Sequence, residues 1–131
     1  MIVLDTNALL WWISNSEKLS KKAKKIIKEA ENKKEVYISS ISVLEIYTLI
    51  KKGKLGLETP PDNWLDQVES LSYVHFVPLD NKIAVDSVQL PDFSHRDPAD
   101  RIIIATALQY GATLITADKK IRKYPEVQTI W

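Results

Sequence analysis

Cysteine is absent from this chain of 131 residues. That excludes disulfides, thiolate zinc sites, iron–sulfur clusters and cysteine nucleophiles, and it fits a reducing cytoplasm. Glycine is scarce at 3 residues and proline stands at 6, so collagen-like and low-complexity architectures are excluded. No charge of one sign dominates. Lys and Arg number 18 against 17 Asp and Glu, a formal charge of +1, so any polyanion binding must come from local patches. No apolar run approaches the roughly 18 residues of a membrane helix. The apolar stretch from Met1 to Ile13 is interrupted by Asp5, Thr6 and Asn7, and no positive residue precedes it. Neither a membrane association nor a signal peptide is expected, and the default location is cytoplasmic. There is no Gly-rich phosphate loop, which leaves nucleoside-triphosphate hydrolysis without support.

What is present is an ordinary globular composition, 45% hydrophobic and 27% charged, at a length that predicts one domain over residues 1–131. Ile2-Val3-Leu4 reads as a short buried strand of the kind found in parallel sheets. Further strands are expected at Val36 to Ile38, Tyr73 to Val77, Ala112 to Thr116 and Val127 to Ile130. Helical patterns fall between them: Ala8 to Ile13, Leu19 to Ala30, Ile41 to Lys52, Asn63 to Leu71, Asp80 to Leu90, Pro98 to Tyr110 and a short one at Lys119 to Lys123. Asp97-Pro98 marks a helix start, and Gly53 and Gly111 mark helix ends. Strands alternating with helices predict an α/β fold whose sheet is mainly parallel and covered on both faces. In such sheets ligands bind beyond the carboxyl ends of the strands.

Four carboxylates stand at those ends: Asp5, Glu45, Asp100 and Asp118. If the first and fourth strands are neighbours, their backbones lie about 4.8 Å apart, and Asp5 and Asp118 can face one point. Carboxylates packed this closely repel one another and raise each other's pKa, unless a divalent cation reverses the sign. An all-oxygen donor set suits Mg²⁺ or Mn²⁺ rather than zinc. Such a site serves phosphodiester hydrolysis.

Each acid also has a local explanation. Ser42-Val43-Leu44-Glu45 matches a capping box. Asp97 and Asp100 suit the N-cap and third position of a helix, and Asp118 suits a turn or N-cap. Asp5 is harder to dismiss, because an acid closing a buried apolar strand is costly unless neutralised. Local roles also leave unexplained why all four acids fall on one predicted edge.

These residues resemble a known family. Val3-Leu4-Asp5-Thr6-Asn7, Ile38-Ser39-Ser40 through Leu44-Glu45, His95-Arg96-Asp97-Pro98-Ala99-Asp100-Arg101 continuing into Ile104-Ala105-Thr106-Ala107, and Leu114-Ile115-Thr116-Ala117-Asp118 are similar, in order, to the motifs of PIN-domain ribonucleases. Within them the chain looks like the VapC-like toxins of toxin–antitoxin pairs. The resemblance implies a three-layer sandwich around a five-stranded parallel sheet and a Mg²⁺- or Mn²⁺-dependent endoribonuclease. It carries metal binding onto Asp5 and Asp100, completes the acidic quartet with Glu45 and Asp118, and gives Asn7 and Thr116 the role of orienting those acids. Asp97 adds an acid beside the quartet. It also implies a homodimer, an RNA substrate, and a small antitoxin covering the acidic groove.

Other residues are weighed on their surroundings. Lys21, Lys22, Lys24, Lys25 and Lys28 read as a solvated helix face. Lys119, Lys120, Arg122 and Lys123 follow Asp118 and are candidates for RNA phosphate contact. Arg101 is expected to pair with a nearby carboxylate. His95 reads as an incidental loop residue and His75 as structural. Trp11 and Trp12 suit a buried face or a protein contact more than base stacking. Three rival readings stay open: a PIN nuclease acting in RNA processing or on structured DNA, a receiver domain phosphorylated on a strand-end Asp, and an interaction module whose acids only cap helices.

Overall fold

The computed structural model describes residues 1–131. Along the chain run β1 (Ile2–Leu4), α1 (Thr6–Ile13), α2 (Lys21–Asn32), β2 (Val36–Ser39), α3 (Ser40–Lys51), α4 (Pro61–Glu69), β3 (Val74–Val77), α5 (Asn81–Val88), α6 (Pro98–Tyr110), β4 (Thr113–Ile115), α7 (Lys119–Arg122) and β5 (Thr129–Ile130). The five strands form one sheet in the order β3-β2-β1-β4-β5. Every pairing is parallel, so all the carboxyl ends share one edge. This is the α/β sandwich expected above. The terminal strands are shorter than predicted: β4 stops at Ile115 and β5 begins at Thr129.

The wholly apolar strands explain the layering. Ile2 and Leu4 point to one face and Val3 to the other, as a period of two requires. The first face packs with Val36 and Ile38 of β2, Ala23 and Ile27 of α2, Ile46 of α3 and Trp64 of α4. Val3 and Leu114 pack on the other side against Ile103 and Ile104 of α6 and Ile121 of α7. Helix α5 closes that side further along, with Ile83 against Ile102 and Ala105 of α6.

The tryptophans and His75 behave as structural residues. Trp11 sits against Trp131 with ring centroids 5.5 Å apart, and Trp12 meets Tyr73 edge-on at 6.2 Å. Trp12 also donates its indole N–H to Glu31. His75 is exposed, stacks on Tyr37 at 5.0 Å, and its Nε2 lies 2.8 Å from the Lys34 carbonyl oxygen.

The chain order is what creates a site. After β1 the strands are laid down outward on one side, β2 and then β3. The chain then crosses to the other side of β1 for β4 and β5. Strand order therefore reverses at β1–β4, the crevice where open α/β sheets bind ligands. Leu4 pairs with Ile115 there, and the Asp5 N–H donates to the Ile115 carbonyl at 3.2 Å. The loops after β1 and β4 thus leave the sheet side by side.

Candidate active site

Three of the predicted acids are helix N-caps at this edge. The Asp5 carboxylate accepts from the Ala8 N–H at 2.8 Å and starts α1. Asp118 accepts from Lys120 and Ile121 and starts α7. Asp97 accepts from Ala99 at 2.9 Å and starts α6, with Pro98 in the first helical position. Each cap fixes a carboxylate against a helix N-terminus, where the helix dipole favours negative charge. Capping and clustering are therefore not rivals here, because the same side chains do both.

Asp5, Glu45, Asp97, Asp100 and Asp118 line one cleft of about 380 Å³, with Thr6, Asn7, Leu49 and Ala117 completing the wall. No Lys or Arg lines it. The carboxylates ring the space rather than touch. The one set of three whose donor atoms all lie within 4.8 Å of one another is His95, Asp97 and Asp100, and no three of the quartet come that close.

Burial and mutual repulsion show in the protonation behaviour. Asp5 is only 7% exposed. Loss of water pushes its pKa up to about 6, hydrogen bonds from Thr116 and the Ala8 N–H pull it back, and the charges of Asp100 and Asp118 raise it. Glu45 is raised first by burial, against a lowering bond from Thr6, and then by Asp97, Asp100 and Asp5. Asp100 is raised by burial, with the His95 bond opposing and Asp97 adding to the rise. An all-oxygen cleft in which Asp5, Glu45 and Asp100 are held above their ordinary range, without a Lys or Arg in its lining, fits a hard divalent ion.

Several side chains hold the acids differently from expectation. Glu45 is not part of a capping box, because Ser39 caps α3 by accepting from Ile41. Instead Glu45 accepts a 2.5 Å bond from the Thr6 hydroxyl, which in turn lies 2.9 Å from the buried Ser42 hydroxyl. Thr116 is fully buried beside Asp5 and Asp118; its hydroxyl accepts from the Asp118 N–H at 3.1 Å, and its closeness to Asp5 opposes the rise of that carboxyl's pKa. Asn7 is exposed on the rim and makes no hydrogen bond to any acid. His95 is not incidental: its Nε2 sits 2.5 Å from Asp100 Oδ2.

Arg101 corrects a further expectation. It pairs with no carboxylate and donates to four backbone carbonyls, those of Ser87, Val88, Phe93 and His95. The planar guanidinium offers five donors in a fixed fork, and here it is spent on stapling the loop before α6. The basic group after Asp118 divides. Lys120 and Lys123 border a cavity beside Arg96, whereas Lys119 and Arg122 turn toward Lys22 and Trp131, with Lys123 between the two.

Comparison with known proteins agrees with this architecture. Over 99% of its length the chain is 32% identical to Ribonuclease VapC22 of Mycobacterium tuberculosis, covering 98% of that protein. Among solved structures it resembles VapBC2 from Rickettsia felis bound to a promoter DNA fragment, with a TM-score of 0.73 at 20% identity, covering 99% of this chain and 98% of that one. It also resembles FitAcB from Neisseria gonorrhoeae, with a TM-score of 0.70 at 22% identity, covering 100% and 97%. The PIN domain family model matches residues 2–127, and the chain belongs to the PIN-domain family.

Proposed function

We propose that this chain is a metal-dependent endoribonuclease that hydrolyses RNA phosphodiester bonds, acting as the toxin of a toxin–antitoxin pair. The observation that carries the reading is the cleft itself, five carboxylates facing one space without a cation among them. The likeness to Ribonuclease VapC22 supports the RNA substrate. The likeness to toxin–antitoxin complexes supports a small antitoxin as the partner that silences the cleft. The working unit is one PIN-like domain over residues 1–131, acting in the cytoplasm as a homodimer. No helix is long and apolar enough to cross a membrane.

Asp5 and Asp100 would hold Mg²⁺ or Mn²⁺, with Glu45 and Asp118 completing the set. When bound, the ion supplies Lewis-acid activation of water and neutralises charge developing on the scissile phosphate. The protein's own groups set the geometry. The N-cap bonds of Asp5 and Asp118 and the Thr6 bond of Glu45 lock three carboxylates before substrate arrives. That preorganisation leaves little reorganisation for the reaction itself. Thr116 supports Asp118 through its hydroxyl, Asp97 caps the helix that carries Asp100, Asn7 lines the entrance, and Lys119, Lys120, Arg122 and Lys123 supply counter-charge for RNA phosphates.

The test is cleavage of total RNA by purified protein with Mn²⁺. Asp5→Asn and Asp100→Asn are each expected to lower the rate by at least about a hundredfold while keeping the circular dichroism of the fold. Cleavage at the wild-type rate by either variant would remove the assignment. Induction in cells is expected to arrest growth, and the same substitutions to relieve the arrest.

A further inference from the structure

The acidic cleft has a cationic neighbour. A cavity of about 580 Å³ opens between the Asp92 to Asp97 loop and the α7 end of the chain, and Asp97 is the wall it shares with the cleft. Arg96, Lys120 and Lys123 line it against Asp92 and Asp97. The sign of the local charge therefore inverts across a single residue.

The three cations are uncommitted. The ion pairs of the chain involve the N-terminus, Lys28, Lys82 and His95, and none uses Arg96, Lys120 or Lys123. Their placement is not loose. Asp118 fixes the start of α7, and Lys120 and Lys123, three apart on one helical turn, share a face. The opposite wall is held by the Arg101 bonds to the Phe93 and His95 carbonyls. The floor is Phe93 against Tyr124, centroids 4.6 Å apart, with the Tyr124 hydroxyl donating to the Pro91 carbonyl at 2.7 Å. The cavity is thus built from stapled pieces, with free positive charge at its mouth.

We infer that this cavity is a phosphate subsite for the RNA nucleotide next to the scissile bond, bound by Arg96, Lys120 and Lys123. This rests on the nuclease reading. An RNA strand entering a ring of carboxylates is repelled on both sides of the phosphate that the metal neutralises. The neighbouring phosphate needs fixed counter-charge, and this is the adjoining space that offers it. Lys119 and Arg122 border a different cavity and lie outside this subsite. The subsite recognises backbone and not base, so it adds affinity and register without sequence preference.

The experiment measures binding of a fluorescein-labelled, mixed-sequence single-stranded oligoribonucleotide by anisotropy in EDTA, across a salt series. The variants are Lys120→Gln/Lys123→Gln and a charge-matched control, Lys24→Gln/Lys25→Gln, on the exposed face of α2. The expected result is binding about tenfold weaker for the first pair and a flattening of the log–log salt slope by about 1, the control binding as wild type and both pairs melting as wild type. The subsite is overturned if the first pair binds within twofold of wild type, if the control weakens equally, or if the wild-type protein does not bind the oligoribonucleotide. Cleavage with Mn²⁺ separates this from the nuclease reading. Lysine-dependent binding without any cleavage by wild type sinks only that reading. Cleavage and binding at wild-type levels by the first pair sink only the subsite.

Discussion

His95 Nε2 lies 2.5 Å from Oδ2 of Asp100, both side chains about one-fifth exposed. An ionised carboxylate only accepts, so Nε2 carries the proton and donates. The bond occupies one carboxylate oxygen and fixes the plane of the other. Partners of this kind commonly set metal affinity through the orientation of the ligand they hold. His95→Ala is expected to weaken Mn²⁺ binding, read by isothermal titration, on the order of ten- to a hundredfold. His95→Gln, which can offer a donor at a similar reach, is expected to recover much of it. Equal Mn²⁺ affinity in wild type and His95→Ala would show that the bond is merely structural.

The carboxylates make the metal-free protein unusual in its response to acid. The folded pKa of Asp5 is about 6 against an ordinary 3.8. Between those values the folded state holds a proton that the unfolded state has released, so stability falls as pH rises and is regained on acidification. Glu45 and Asp100 shift in the same direction. For Asp5 alone the swing is on the order of 3 kcal/mol at most. Thermal melts in EDTA are expected to rise from pH 7.5 toward pH 5, and Asp5→Asn to be the more stable protein at pH 7.5 with a flatter profile. Saturating Mn²⁺ is expected to raise the melting temperature at pH 7.5. Melts that decline steadily from pH 7.5 to pH 5 would contradict the burial argument.

Thr6 links two elements through one hydroxyl, donating to Glu45 from the start of α1 while touching Ser42. Thr6→Val keeps the shape and removes the donor. A fall in kcat on the order of tenfold is expected, with Thr6→Ser close to wild type. Steady-state kinetics on an oligoribonucleotide reads the difference, and equal kcat for the Val and Ser variants would reject it.

Arg101 carries the loop before α6 on four carbonyls at 2.7 to 3.1 Å. Arg101→Ala is expected to cost about 2–4 kcal/mol in chemical denaturation, since partly buried carbonyls lose a charged donor. Arg101→Lys is expected to recover little of this, because one ammonium cannot span acceptors that a planar fork reaches together. Hydrogen exchange is expected to speed up across residues 91–97. Unaltered exchange there would mean that the loop is held by something else.

Much of this was readable in advance, because it is written locally. Wholly apolar triplets such as Ile2-Val3-Leu4 report burial on both faces, and Asp97-Pro98 reports a helix start. Asp5 stands out because an acid closing a buried apolar strand needs a reason, whereas Asp100 and Asp118 suit helix starts and stand out only by falling on the same predicted edge. What was not legible depends on chain closure. The Thr6–Glu45 bond joins residues far apart in sequence, and nothing near either one announces it. The capping-box pattern at Ser42 misleads because β2 runs straight into α3, so Ser39 takes the cap three residues earlier. Arg101 defies a charge-based guess because its acceptors are main-chain oxygens, which side-chain sequence does not display.

The reversal of strand order at β1 also bears on how the protein is made. Asp5 precedes Asp118 along the chain, and the two stand together only when Thr113–Ile115 is paired beside β1. Nascent chains and products of premature termination before β4 therefore carry an unfinished ring of acids.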